Sequence, residues 1–178
     1  LNLVYDDLKM PFYDFSRIPE KIIEYMLGND EKKLIDFKLD DFADETAGES
    51  MAPGGGSISA YVGALGVSLG TMVANLSAHK AGWDDKWEFF SKWAEKGQIY
   101  KNRLLFLVDE DTNAFNKIID GFRMPKDSDE EKLVRTQAIE DATKYATEIP
   151  FQVMETSSKS FAIIVLVTDI ISVCIFLL

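Results

Sequence analysis

An all-α bundle of long antiparallel helices is the architecture the sequence predicts. Three observations carry it. From Ile58 to Leu76 large apolar residues recur at alternating spacings of four and three. The same phase runs from Trp83 to Phe122 without a break. No segment shows the alternating pattern of a strand. The composition suits one folded core: 178 residues, 47% hydrophobic and 28% charged.

Residues 1–33 read as a lead-in. The chain opens at Leu1, and LNLVYDDLKM lacks the basic-then-apolar profile of a secretory signal. It therefore reads as a fragment, or as a chain whose recorded start is misplaced. Ser16 and Pro19 can open a short helix that Gly28 closes, with Ile18, Ile22, Tyr25 and Met26 on one stripe. Asn29–Lys33 is a polar linker. A second short helix is expected over Asp40–Ala47, with Leu39, Phe42 and Ala43 on one side.

From Ser50 to Ala78 no residue is charged. Pro53-Gly54-Gly55-Gly56-Ser57 is expected to be a loop, followed by a helix from about Ile58 to His79. Its bulky stripe is Ile58, Val62, Leu65, Leu69, Met72 and Leu76. Two adjoining faces are small: Ser59, Gly63, Gly66, Gly70, Val73 and Ser77 on one, Ala60, Ala64, Val67, Thr71, Ala74 and Ala78 on the other. Small faces let neighbouring backbones approach closely. Glycine costs a helix about 1 kcal/mol relative to alanine, a penalty that tight packing must offset. A transmembrane span is the competing reading, but Ser59, Ser68, Thr71, Asn75 and Ser77 are many polar groups for a lipid-facing helix. The expectation is a central helix walled in on all sides.

Gly82 marks a stop, and one long helix follows, bent near Gly97 if it bends at all. Ser128 and Glu131 form a capping box for a helix over Asp129–Ile149, with Val134, Ala138, Ala142, Tyr145 and Ile149 inside. Pro150 is expected to stop it and to open another helix at Phe151. From Phe161 to Leu178 only Thr168, Asp169 and Ser172 are polar. A membrane anchor fits that length, but Asp169 sits in its middle. A buried final helix, or the tail of a truncated or shifted reading frame, is the favoured reading.

Composition also limits the chemistry. With 19 Lys+Arg against 30 Asp+Glu, the net charge is −11, which argues against nucleic acid as a partner. Cys174 is the one cysteine and His79 the one histidine. Intrachain disulfides, multi-cysteine zinc sites and multi-histidine metal centres are excluded. Carboxylates, backbone amides and cations are left to act.

Asp109-Glu110-Asp111 stands out, because the three acids fall on different faces. Asp111 lies on the apolar stripe between Val108 and Phe115, Asp109 on its flank, and Glu110 further out with Asn113 and Lys117. A carboxylate on a core stripe must be paired, hydrogen-bonded or protonated, and a desolvated acid suits proton donation. The competing structural reading is a surface acid, or an ion pair with Arg103 or Arg135. Gly54, Gly55, Gly56 and Ser57 precede a helix and could offer backbone N–H groups to an anion or carbonyl. No Gly-Lys-Ser/Thr ending and no preceding strand support a nucleotide loop, and a tight turn explains the glycines equally well. His79 and Lys80 are expected to serve the last carbonyls of their helix. Trp83, Trp87 and Phe90 read as core or subunit interface, and Asp127–Glu131 as a solvated helix start.

MAPGGGSISAYVGALGVSLGTMVANLSAHK, LLFLVDEDTNAFNKIIDGFRMPKDSDEEK and AIEDATKYATEIPFQVMETSSKSF resemble the formiminotransferase-cyclodeaminase family, in its cyclodeaminase or methenyltetrahydrofolate cyclohydrolase-like domain. The resemblance covers roughly residues 34–161. It implies a domain over 34–160, after a 1–33 linker resembling the end of a formiminotransferase region and before an atypical 161–178 tail. It implies a methenyltetrahydrofolate cyclohydrolase-like helical fold, acting in the cytoplasm as a homodimer or larger homo-oligomer, with membrane association disfavoured. The implied reaction converts 5-formimidoyltetrahydrofolate to 5,10-methenyltetrahydrofolate and ammonia, a step of histidine degradation, with no metal and no redox cofactor. The family's catalytic acid corresponds to Asp111. A polyglutamylated folate would need local positive charge, for which Lys80, Lys126 and Arg135 are candidates beside Gly54–Ser57. Methenyltetrahydrofolate cyclohydrolase is the alternative reaction. A non-catalytic helical assembly or membrane-associated module is the alternative class. Family members continue into further helices where this chain has its apolar tail.

Overall fold

The computed structural model describes residues 33–176, with side chains described through residue 165. The expected helix at 18–28 and most of the 1–33 lead-in lie outside the described residues. Among those described there is no strand. A 3₁₀ turn at Leu34–Asp36 leads into α1 (Leu39–Ala47), α2 (Gly55–Ala78), α3 (Trp87–Arg123) and α4 (Asp129–Phe176). The last three pack on one another, and the 3₁₀ turn lies against α3. All-α architecture is therefore as the sequence predicts. At 1.5 Å per residue, α2, α3 and α4 are about 36, 55 and 72 Å long.

α1 begins one residue before its expected start, but it buries no side chain completely. Leu39 is exposed, whereas the Phe42 ring meets Tyr61 of α2 at 5.2 Å.

α2 departs from expectation twice. It begins at Gly55, so Gly55, Gly56 and Ser57 form its first turn rather than a loop. It is also not walled in. Ala60, Ala64, Val67, Thr71, Ala74 and Ala78 are buried, while Val62, Leu65, Leu69, Met72 and Leu76 are exposed, from 49% at Leu65 to 67% at Leu76. Close approach explains the inversion. A Cβ at Gly63 would lie 3.0 Å from Ser157 Oγ of α4 and 3.4 Å from Leu104 of α3. One at Gly70 would lie 3.3 Å from Ile163. At Gly97 of α3, a Cβ would overlap Thr71 Oγ1 and lie 3.0 Å from Thr71 Cβ. The inner faces have no space for large side chains, so the bulk points out. α2 is long and apolar enough to cross a bilayer by length and composition, yet the face carrying Ala60, Ala64, Val67, Thr71, Ala74 and Ala78 is buried and the helix packs on α3 and α4.

α3 starts at Trp87, and Trp83 stacks on Phe90 at 5.5 Å from the preceding turn. Gly82 in that turn has φ +82°, a left-handed conformation suited to glycine. The buried line of α3 follows the predicted stripe through Phe90, Ala94, Gly97, Leu104 and Val108. It then moves to Leu107, Ala114 and Gly121, while Trp87 and Phe122 at the two ends are exposed.

The capping box of α4 forms as predicted: Glu131 N–H donates to Ser128 Oγ at 3.1 Å, and Ser128 N–H to Glu131 Oε2 at 3.0 Å. The predicted stop does not occur, since α4 runs through Pro150. Proline removes one helical N–H and crowds the preceding turn, a cost of about 3 kcal/mol. Burial on both sides opposes that cost: Ile149 and Val153 are in the core, and Ile163 is fully buried. Val134, expected inside, is exposed near the start of α4. The opening turn of the apolar tail is thus part of a packed helix.

Candidate functional site

α3 brings Asp111 to the N-terminal end of α2. Gly54 is the N-cap of α2 and makes no side-chain cap. Asp111 supplies it from the neighbouring helix. Ser57 N–H donates to Asp111 Oδ2 at 2.9 Å, and Ser57 Oγ lies 3.2 Å from the same oxygen. Four N–H groups at a helix start lack intrahelical acceptors, and the dipole there favours negative charge. Of the three fates open to a carboxylate on a core stripe, Asp111 therefore takes the hydrogen-bonded one. It is half-buried rather than in bulk water. Arg103 instead donates to Gln152, and Arg135 to the Phe122 carbonyl at 3.4 Å.

Gly56 makes this approach possible. A Cβ there would lie 2.5 Å from Asp111 Cγ and 2.7 Å from Oδ2. At Gly54 it would meet Oδ2 at 3.4 Å, an ordinary contact, and at Gly55 it would meet nothing. One glycine of the three is thus sterically required by the acid.

An open cleft of about 500 Å³ lies beside this end of α2, lined by Gly55, Gly56, Ser59, Pro150, Val153, Met154 and Ser157. Asp111 does not line it, but Gly56 belongs to both the cleft and the carboxylate's contact. Pro150, expected as a helix stop, and the glycine turn thus face one cavity, a relation that sequence spacing did not reveal.

The neighbouring acids are tied elsewhere. Asp109 Oδ1 accepts the Leu34 N–H at 2.6 Å and so holds the 3₁₀ turn on α3. Burial pushes the Asp109 carboxyl above its ordinary value, against the lowering effects of the Leu34 and Ile35 amides and of Lys33. Glu110 accepts from the Tyr145 hydroxyl of α4. That bond, followed by burial, pushes the Tyr145 phenol above its ordinary value, and Lys117 Nζ sits 4.0 Å from the ring centroid.

Proton binding at Asp109 is linked to folding. Because the folded-state value is raised, the folded chain binds this proton more tightly than the unfolded chain. Its stabilising contribution is present below the ordinary value of 3.8 and is lost as pH rises through the raised value. Asp109→Asn keeps an acceptor for Leu34 without the charge. We expect it to gain in denaturant midpoint relative to wild type at pH 7, and the gap to close towards pH 4. A gap that widens on acidification would contradict this.

The cationic candidates do not converge with Asp111 within the protomer. Lys80 follows His79, the C-cap of α2, and is 23 residues beyond Ser57, about 35 Å along a helix. Its Nζ sits 4.5 Å from the Trp83 ring centroid. Arg135 lies over Phe122 at the end of α3, eleven residues and about 16 Å along the helix from Asp111. Lys126 lies past that same end, before α4. Among the described residues no three His, Cys, Asp or Glu side chains gather as a metal site.

Comparison with known proteins adds the following. Residues 38–174 match the family model described as formiminotransferase-cyclodeaminase, a match that reaches past residue 161 into the apolar tail. Formimidoyltransferase-cyclodeaminase from Rattus norvegicus is 32% identical over 142 residues, 79% of this chain and 26% of that protein. Methenyltetrahydrofolate cyclohydrolase from Methylorubrum extorquens is 32% identical over 112 residues, 63% of this chain and 54% of that protein. The crystal structure of formiminotetrahydrofolate cyclodeaminase from Thermotoga maritima aligns with a TM-score of 0.56 at 28% identity, over 67% of this chain and 56% of that one. The chain spans about a quarter of the length of the rat protein.

Proposed function

The chain belongs to the formiminotransferase-cyclodeaminase family, and from that membership we propose that it closes 5-formimidoyltetrahydrofolate to 5,10-methenyltetrahydrofolate with loss of ammonia. The observation that carries the proposal is Asp111, held at the start of α2 against a glycine that also lines an open cleft. In the proposed reaction N10 adds to the carbon of the formimino group, which enters in its protonated, amidinium-like form, and N10 gives up its own proton. The former imine nitrogen must be protonated before the C–N bond breaks and ammonia departs. A single positioned carboxyl group can take the first proton and deliver the second. The Gly55–Gly56 backbone, Pro150 and Met154 would offer one wall of the cleft to the flat, partly apolar pterin. The proposed place of the reaction is histidine degradation, in the cytoplasm, on a polyglutamylated folate. Lys126 and Arg135, near the end of α3, are the candidates for such a tail within the protomer, whereas Lys80, past the far end of α2, would meet it only if a second protomer brings it to the site.

Appearance of methenyl-folate absorbance from 5-formimidoyltetrahydrofolate tests the proposal. Methenyltetrahydrofolate cyclohydrolase is the second reading, favoured by the relative from Methylorubrum extorquens, of which this chain covers 54%. Accelerated loss of methenyl absorbance, without turnover of the formimidoyl substrate, would select it. Absence of both reactions would select a non-catalytic helical assembly.

We also propose a homo-oligomer, supported by the outward stripe Val62, Leu65, Leu69, Met72 and Leu76. Each such side chain contributes about 1.5–3 kcal/mol when fully buried, so a row of them favours association over exposure. Leu65→Lys with Leu69→Lys is expected to lower the mass seen by sedimentation while keeping helix content. Unchanged mass would remove this face from the interface.

A further inference from the structure

We propose that Ser57 is a positioning residue for Asp111 rather than a ligand of the substrate, an inference that rests on the role just given to Asp111. Ser57 is completely buried. Its side chain does not line the cleft, although Gly55, Gly56 and Ser59 around it do. Three polar groups of α3 surround the hydroxyl. Oγ lies 2.8 Å from the Val108 carbonyl, 3.2 Å from Asp111 Oδ2 and 3.5 Å from Thr112 Oγ1.

The hydroxyl has one proton, with the Val108 carbonyl and Asp111 Oδ2 as its nearer acceptors and the Thr112 hydroxyl, which can donate or accept, at the limit of reach. The Val108 carbonyl is always an acceptor. Asp111 Oδ2 is a strong acceptor when the carboxyl is ionised and a weaker one when it is neutral. The proton therefore turns towards Oδ2 as Asp111 loses its own proton, and back to Val108 as Asp111 regains it. The Ser57 N–H stays on Oδ2 in both states, at 2.9 Å. Both protonation states keep a hydrogen-bonded partner at a fully buried serine, with a rotation of one O–H as the rearrangement.

The other carboxylate oxygen is the working one. Oδ1 accepts no hydrogen bond among the described residues, and a Cβ at position 56 would cover it. Glycine leaves room for it, beside a residue whose backbone lines the cleft. Oδ2 is the anchored oxygen and Oδ1 the one that exchanges a proton with the folate nitrogens. No atom is gained or lost by Ser57 over the cycle.

The test is steady-state kinetics on the full chain with Ser57→Ala and Ser57→Thr, beside Asp111→Asn. A misaligned acid loses rate without losing affinity, so kcat of Ser57→Ala should fall about tenfold to a hundredfold, with KM within twofold. Ser57→Thr, which keeps the hydroxyl, should recover most of the loss. A tenfold rise in KM at unchanged kcat would make Ser57 a substrate ligand and overturn the inference. So would wild-type kinetics in Ser57→Ala, or a Thr variant no better than Ala while both keep wild-type helix content. Loss of activity in Asp111→Asn with an unaffected Ser57→Ala defeats this inference alone. An active Asp111→Asn defeats the reading of Asp111, and this inference with it.

Discussion

Asp111→Asn is expected to lose turnover by a factor of about 10²–10⁴ and to keep its fold. The side chain has two tasks that the substitution separates. One is to accept the Ser57 N–H at the head of α2, which an amide oxygen does nearly as well. The other is to carry a proton, which an amide does not do near neutral pH. Helix content by circular dichroism should match wild type, and the unfolding free energy from denaturant melts should change by no more than about 1 kcal/mol. Methenyl-folate formation should be lost. Normal turnover would remove Asp111 from the chemistry, whatever the family assignment.

Gly56→Ala should cost nearly as much activity by a different route. The added methyl would lie 2.5 Å from Asp111 Cγ, closer than unbonded atoms approach. Either the carboxylate turns away or the first turn of α2 moves. A displacement near 1 Å at a reacting group can cost about a hundredfold in rate. Alanine also favours helix over glycine by about 1 kcal/mol, so stability should fall less than activity. Gly66→Ala on the same helix is the control. A Cβ there meets nothing within 4 Å, and that variant should be at least as stable as wild type and equally active. If Gly56→Ala keeps its turnover, the contact between glycine and acid has no bearing on catalysis.

The periodicity of α3 and the capping box of α4 were legible because they are local: the phase of a helix and a reciprocal cap are written within a few residues. The non-equivalence of Asp109, Glu110 and Asp111 was legible for the same reason. The first turn of α2 was not. Gly55–Ser57 looks like a loop because no nearby side chain caps it, and its cap comes from Asp111, 54 residues later. The outward set of the α2 stripe was hidden for a related reason. Periodicity shows that faces differ, but not that neighbouring helices come too close for the bulky one to face inward. Pro150 misled in the opposite sense, because a local rule about helix breaking was outweighed by burial at Ile149 and Val153. The remoteness of Lys80 from Ser57 could be foreseen, since Ser57 is in the first turn of α2 and Lys80 follows its C-cap.

Three consecutive side chains of α3 reach three separate parts of the molecule: Asp109 the turn at Leu34, Glu110 Tyr145 of α4, and Asp111 the head of α2. Successive residues on a helix are 100° apart, so these tethers span about 200° of its circumference. A rod gripped on three sides cannot roll about its long axis unless all three grips release together. The orientation of the acid is therefore inherited from the arrangement of the whole bundle, and a disturbance at the upstream turn would be felt two residues away from the proton.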